Sequence, residues 1–129
     1  MLLPTTLSMA AAAAILNLWL SIRIGRVRQS EKVSIGDGGS EPLIRRMRAQ
    51  ANFIENTPLT LILVGAIELA GKGGMWLAPV AGLFMLGRVV HAIGMDGGFK
   101  AGRGLGTLTS MLAQLGLAIV AVLASLNVL

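Results

Sequence analysis

Arg48, Asn52 and Glu55 place a cation, an amide and a carboxylate at helical spacing, directly before an apolar stretch. At about 100° per residue, positions i, i+4 and i+7 lie within about 60° of one another on one helix face. Bringing an ionisable side chain into a bilayer costs about 2.5–3.5 kcal/mol on insertion scales, so such residues commonly have a function. A guanidinium, a carboxylate and an amide could bind the carboxylate, ammonium and peptide groups of a small zwitterionic ligand. The same spacing also suits charge pairing between helices or subunits and an Asn helix contact, and it leaves both interpretations open.

Two further polar sets lie beside apolar stretches. Arg88 and His91 are i, i+3 neighbours, and the alternatives to a ligand site are a snorkelling Arg and a packing His. Arg103, Thr107 and Ser110 combine a cation with two hydroxyls, a pattern that would favour the reactive thiolate of a bound thiol. The structural alternative is that the hydroxyls only hydrogen-bond between membrane helices.

Composition predicts a membrane protein. Only 13% of the 129 residues are charged and the mean hydropathy is +0.76, whereas a soluble domain has about 25% charged residues. The absence of Cys excludes disulfides, thiolate metal ligands and a Cys nucleophile, and with a single His we expect no metal site. The net charge of +5 is not a nucleic-acid footprint, because the basic residues lie beside apolar runs.

The elements that position these side chains read as four membrane-spanning helices in one domain, residues 1–129. We predict helices over about residues 2–28, 42–71, 75–95 and 105–128, joined by Gly-rich loops at 34–40 and 96–104. The first uncharged run, residues 1–22, is long enough to cross a ~30 Å hydrocarbon core. A cleaved signal peptide is disfavoured because the basic residues follow this run instead of preceding it.

Charge counting predicts the topology. Ten of the eleven Lys and Arg residues fall at one end of the predicted bundle, and Lys72 is the exception. The positive-inside rule assigns that end to the cytoplasm and places both termini outside. A transporter is disfavoured because the middle of each span is apolar and the first span has no carboxylate.

The polar segments resemble a known family. Residues 48–58, RAQANFIENTP, resemble the second-helix signature of the MAPEG family, the membrane-associated proteins in eicosanoid and glutathione metabolism. Residues 87–91, GRVVH, are similar to its third-helix GR-x-x-[His/Tyr] segment, and the GDGG loop at 36–39 resembles the small bacterial branch. The resemblance implies an all-α, four-transmembrane-helix bundle that assembles as a homotrimer in the bacterial inner membrane, with sites at subunit interfaces and both termini periplasmic.

The resemblance also implies glutathione as co-substrate. In active family members the second-helix Arg, Asn and Glu hold the tripeptide, a role that would fall to Arg48, Asn52 and Glu55. Arg88 and His91 would complete the ligand-binding set. The implied catalytic residues are Arg103, as the thiolate-stabilising Arg of the fourth helix, and Thr107, as its nearby hydroxyl.

The implied function is a glutathione-dependent transferase or peroxidase acting on lipophilic electrophiles. The alternative is a non-catalytic membrane scaffold or lipid-binding protein, which the family also contains. The chain has no Tyr, whereas active members often have Tyr at the positions of Asn56 and Met95. Contacts through phenol hydroxyls must therefore be missing or replaced.

Overall fold

The computed structural model describes residues 2–129, which form four α-helices and no strand. They are α1 (Pro4–Glu31), α2 (Glu41–Leu69), α3 (Leu77–Met95) and α4 (Lys100–Ser125). By length and composition α1, α3 and α4 can each cross a membrane. Helix α2 does not meet the same criterion of length and apolar composition, and most of its charged residues lie in its N-terminal half. The predicted class, an all-α membrane protein with a four-helix bundle, is confirmed.

The four helices share one apolar core. α2 packs against each of the other three helices, α3 packs against α4, and α1 packs against α3. The most buried core side chains include Leu20 of α1, Val64 of α2, Phe84 of α3 and Leu117 of α4. Many large apolar side chains on the outer faces, such as Ile62 and Leu112, remain exposed, as expected for helices that face lipid or another subunit.

The N-terminus of α1 is capped from another helix. Leu3 provides no side-chain cap, and the carboxylate of Glu68, near the end of α2, takes that role. It accepts hydrogen bonds from the backbone N–H of Thr5 at 2.9 Å and of Thr6 at 2.8 Å, and from the Thr6 hydroxyl at 2.6 Å. A carboxylate at a helix N-terminus satisfies orphan N–H groups and interacts favourably with the helix dipole.

Helix α2 continues through Pro58. Proline lacks an N–H, so the helical hydrogen bond to the Ile54 carbonyl is lost, and side chains add hydrogen bonds in the adjacent turns. The Asn56 side chain donates to the Asn52 carbonyl at 2.7 Å, and the Thr60 hydroxyl donates to the Asn56 carbonyl at 2.9 Å. Gln114 of α4 donates to the Asn56 side-chain oxygen at 3.1 Å, which ties the Pro58 region to the neighbouring helix.

Helix α4 begins at Lys100, about five residues before the predicted start. The glycines at 102 and 104 favoured a loop in the sequence, but Gly102 is a packing position within the helix, as is Gly106. A Cβ at Gly106 would lie 2.5 Å from the Gly87 carbonyl oxygen, and a Cβ at Gly102 would lie 2.7 Å from the Val90 carbonyl oxygen. The α3 and α4 backbones are therefore in direct contact, which small residues allow between membrane helices.

Candidate functional site

A cleft with four cations opens at the end of the bundle where α1 and α3 end and α2 and α4 begin. Its volume is about 430 Å³, and we call it the basic cleft. Its lining residues come from the start of α2, from the end of α3 with the following loop, and from the start of α4: Glu41, Ile44, Arg45, Arg48, Gly94, Met95, Gly97, Lys100 and Arg103. A single carboxylate therefore faces four cations.

The basic cleft brings together Arg48 and Arg103, which the sequence had placed in separate polar sets. Both side chains are exposed and free to meet a ligand. Sequence reasoning missed Glu41, Arg45 and Lys100 as site residues, because the two cations were used only to assign topology and Glu41 was not singled out. The available signal was the i, i+4, i+7 spacing of 41, 45 and 48 along α2.

Gly97 lines the basic cleft in a left-handed backbone conformation. Gly97 has a φ of +96°, and a Cβ at this position would clash with the guanidinium of Arg45. The positive φ favours glycine at this position, whereas the Arg45 guanidinium is the end of a flexible side chain that can move aside. The Nε of Arg45 also lies 3.4 Å from Oε1 of Glu41, an i, i+4 ion pair within the cleft.

Arg88 lies inside the bundle, and only 2% of its surface is exposed. It does not snorkel to the membrane surface. Its Nη1 donates to Oδ1 of Asn52 on α2, and its Nη2 donates to the Gly106 carbonyl of α4 at 2.7 Å. The guanidinium also stands over the Phe84 ring, 5.7 Å from its centroid. Arg88 thus links three helices and brings Asn52 to the α3–α4 contact.

The remaining predicted site residues lie around this link. His91 is buried beside the Gly106 backbone. The Thr107 hydroxyl donates to the Arg103 carbonyl at 2.9 Å, so it is engaged within its own helix. Glu55 is exposed and lies outside the lining of the basic cleft. Ser110 is buried, and its hydroxyl has no hydrogen-bond partner among residues 2–129.

Comparison with known proteins decides the family. The sequence matches the MAPEG family over residues 6–123. The chain belongs to the MAPEG family. It is similar to the inner membrane protein YecN of Escherichia coli strain K12 and of strain CFT073, with 30% identity over 86 residues in each comparison. The match covers 66% of this chain and 65% of each relative, so this MAPEG chain aligns with just under two thirds of their length.

Proposed function

We propose that this MAPEG protein is a glutathione-dependent transferase or peroxidase acting on lipophilic electrophiles. The observation that carries the proposal is the union of Arg48 and Arg103 in one basic cleft of about 430 Å³. Glutathione carries two carboxylates and one ammonium group. A cleft with four cations and one carboxylate is complementary to that pattern of charge.

The cleft residues divide into binding and activating roles. Arg48, together with Arg45 and Lys100, would bind the two carboxylates, and Arg side chains can do so through paired hydrogen bonds. Arg103 would stand beside the sulfur and favour the thiolate, which is the reactive form of a thiol. Asn52 lies outside the cleft lining and its Oδ1 accepts from Arg88, so its amide N–H groups would be the ones left to donate to a peptide carbonyl.

The chemistry needs only the thiolate and an electrophile. In a transferase reaction the sulfur forms a bond to an electrophilic carbon, and the displaced electron pair departs with the leaving group. With a hydroperoxide, the sulfur attacks the terminal oxygen, the O–O bond breaks, and an alcohol and the sulfenic acid of glutathione form. A second glutathione then reacts with the sulfenic acid to give the disulfide and water.

A lipophilic substrate could approach through the apolar groove between α3 and α4. This groove has a volume of about 480 Å³ and is lined mainly by apolar side chains, including Trp76, Leu83 and Leu117. We propose that it opens to the bilayer. Its position in the same helix pair as Arg103 would lead a substrate along α4 toward the thiolate.

Assembly and orientation complete the proposal. We propose a homotrimer in the bacterial inner membrane, with the basic end cytoplasmic and both termini periplasmic. In such a trimer the exposed Glu55, which lies outside its own subunit's cleft, would be available to a ligand shared with a neighbouring subunit. His91 would help to position α4 in the site, because it packs against Gly106 of that helix.

The second candidate is a non-catalytic scaffold or lipid-binding protein. The absence of Tyr favours it, since no phenol hydroxyl can replace those of active family members. A conjugation assay with a lipophilic aryl halide and glutathione in detergent separates the two candidates. Enzymatic turnover above the uncatalysed rate supports the transferase. No turnover with an aryl halide or with a lipid hydroperoxide would favour the scaffold.

A further inference from the structure

One carboxylate joins three helices at the end of the bundle that carries the basic cleft. Asp96, directly after α3, forms an ion pair with Nη2 of Arg23 on α1. Its Oδ1 also lies 3.8 Å from Nε of Arg46 on α2. Arg46 in turn donates from Nη1 to the Arg23 carbonyl at 3.0 Å. We call this arrangement of Arg23, Asp96 and Arg46 the Asp96 bridge.

The Asp96 bridge supplies the negative charge opposite the buried guanidinium of Arg23. Arg23 is only 6% exposed, and its guanidinium stands 4.6 Å from the centroid of the Trp19 ring. Its Nη1 has no hydrogen-bond partner among residues 2–129. A buried charge that loses its partner is strongly destabilising. The ion pair with Arg23 therefore favours this position of Asp96.

The position of Asp96 in the chain connects the bridge to the basic cleft. Gly97 follows at once and receives the guanidinium of Arg45, the sequence neighbour of Arg46. Lys100 and Arg103 follow Asp96 at i+4 and i+7 and line the opposite wall. The contacts of Asp96 with Arg23 and Arg46 therefore influence the distance between the cleft cations of α2 and those of α4.

We propose that Asp96 is a positioning residue that sets the width of the basic cleft and hence its affinity for a small peptide with two carboxylates. The identity of that ligand rests on the proposed function. Without the carboxylate, Arg23 and Arg46 repel each other and the cleft cations. The loop that carries Gly97, together with the start of α4 at Lys100, then moves away from α2, and the cleft widens.

The direction of the affinity change separates positioning from simple electrostatics. Asp96 is a negative charge near a site for anions. If it acted only through its charge, its removal would strengthen the binding of an anionic ligand. If it positions the two walls of the cleft, its removal weakens binding in spite of the more favourable charge.

The test compares Asp96→Asn with Asp96→Glu and with the control Asp37→Asn. Asp37 is an exposed loop carboxylate at the same end, and it accepts a hydrogen bond from the Gly39 backbone at 2.9 Å. Calorimetric titration of glutathione into the detergent-purified protein should give a Kd about tenfold higher in Asp96→Asn. Asp96→Glu should recover most of the affinity, and Asp37→Asn should stay close to the parent. An unchanged or lower Kd in Asp96→Asn overturns the proposal.

A second readout does not depend on the ligand. Because the chain has no Cys, Gly25→Cys and Gly98→Cys can carry spin labels at two unique positions. An added Cβ at either glycine meets no atom within 4 Å. With labelled subunits diluted in unlabelled ones, the distance from α1 to the loop should become longer and broader in the Asp96→Asn background. An unchanged distance overturns the positioning role even if affinity falls. If the parent binds no glutathione, the proposed function fails and this distance alone decides the role of Asp96.

Discussion

The two ends of the bundle differ in how completely their charged side chains are paired and hydrogen-bonded. At the end where α2 finishes, the Glu68 carboxylate accepts three hydrogen bonds from the first turn of α1. At the other end, Arg23 Nη1 and Arg88 Nε lack partners among residues 2–129. Four cations there face a single carboxylate across the basic cleft.

This difference predicts that the end capped by Glu68 contributes mainly to stability and that the basic cleft contributes mainly to ligand binding. Buried polar groups are normally satisfied, and each exception calls for an explanation. A carboxylate with its hydrogen bonds complete has little left to offer a ligand, whereas a cluster of cations in excess retains capacity for anions. Substitutions at the capped end should therefore change stability, and substitutions in the cleft should mainly change binding and turnover.

The largest expected effect is on turnover and lies in the cleft. Arg103→Ala should lower kcat about 100-fold, because it would remove the charge proposed to stabilise the thiolate and would leave Arg48 to bind the carboxylates. Steady-state conjugation kinetics measure kcat, and titration measures the Kd for glutathione, which should change far less. Equal losses in binding and turnover would show that Arg103 is a binding residue only.

The next effect is on stability and lies where α3 meets α4. Gly106→Ala should destabilise the fold by about 1–3 kcal/mol, because its methyl group would overlap the Gly87 carbonyl region. The matched control is Gly104→Ala, two residues earlier in the same helix, where an added Cβ meets no atom within 4 Å. That control should keep or raise the Tm, since Ala favours helix over Gly. Similar Tm values for the two variants would argue against the close backbone contact.

At the capped end, Glu68→Gln should cost about 1 kcal/mol of stability, because a neutral amide caps the α1 N-terminus less well than a carboxylate. Thermal unfolding in detergent would measure the loss, and glutathione affinity should not change. Glu55→Gln is the control for stability, since Glu55 is exposed. A change in glutathione affinity in Glu68→Gln would mean that the two ends are coupled.

The smallest effect identifies the partner of the ligand ammonium. Glu41 lines the basic cleft, whereas family resemblance points to Glu55. The probe pair is glutathione and its des-amino analogue, which keeps both carboxylates and lacks the ammonium. Glu41→Gln should reduce the preference for glutathione by about twofold to fivefold, within the range of an exposed charge pair. If only Glu55→Gln removes the preference, the ammonium binds outside this cleft.

Sequence patterns predicted the fold class because apolar runs of spanning length are a strong signal. The start of α4 was placed too late because Gly102 and Gly104 were interpreted as turn residues. A single sequence does not show that Gly102 faces the α3 backbone. The cap that Glu68 forms on α1 could not be predicted from the sequence, because it depends on a contact between residues more than 60 positions apart.

The site was predictable in part. Helical spacing picked out Arg48 and Asn52, and the structure shows how tertiary contacts divide them, one to the cleft and one to Arg88. The burial of Arg88 could not be read from its position near a helix end, where snorkelling is common. The ligand roles of these residues remain predictions.

The most direct test of the central claim, that the basic cleft binds glutathione, is thermal unfolding of the detergent-purified protein with and without millimolar glutathione. A ligand that binds the folded state raises the Tm by mass action. The account predicts a rise in the parent and in Arg26→Ala, an exposed Arg outside the cleft, and no rise in Arg48→Ala. An unchanged Tm in the folded parent, or an equal rise in Arg48→Ala, would contradict it.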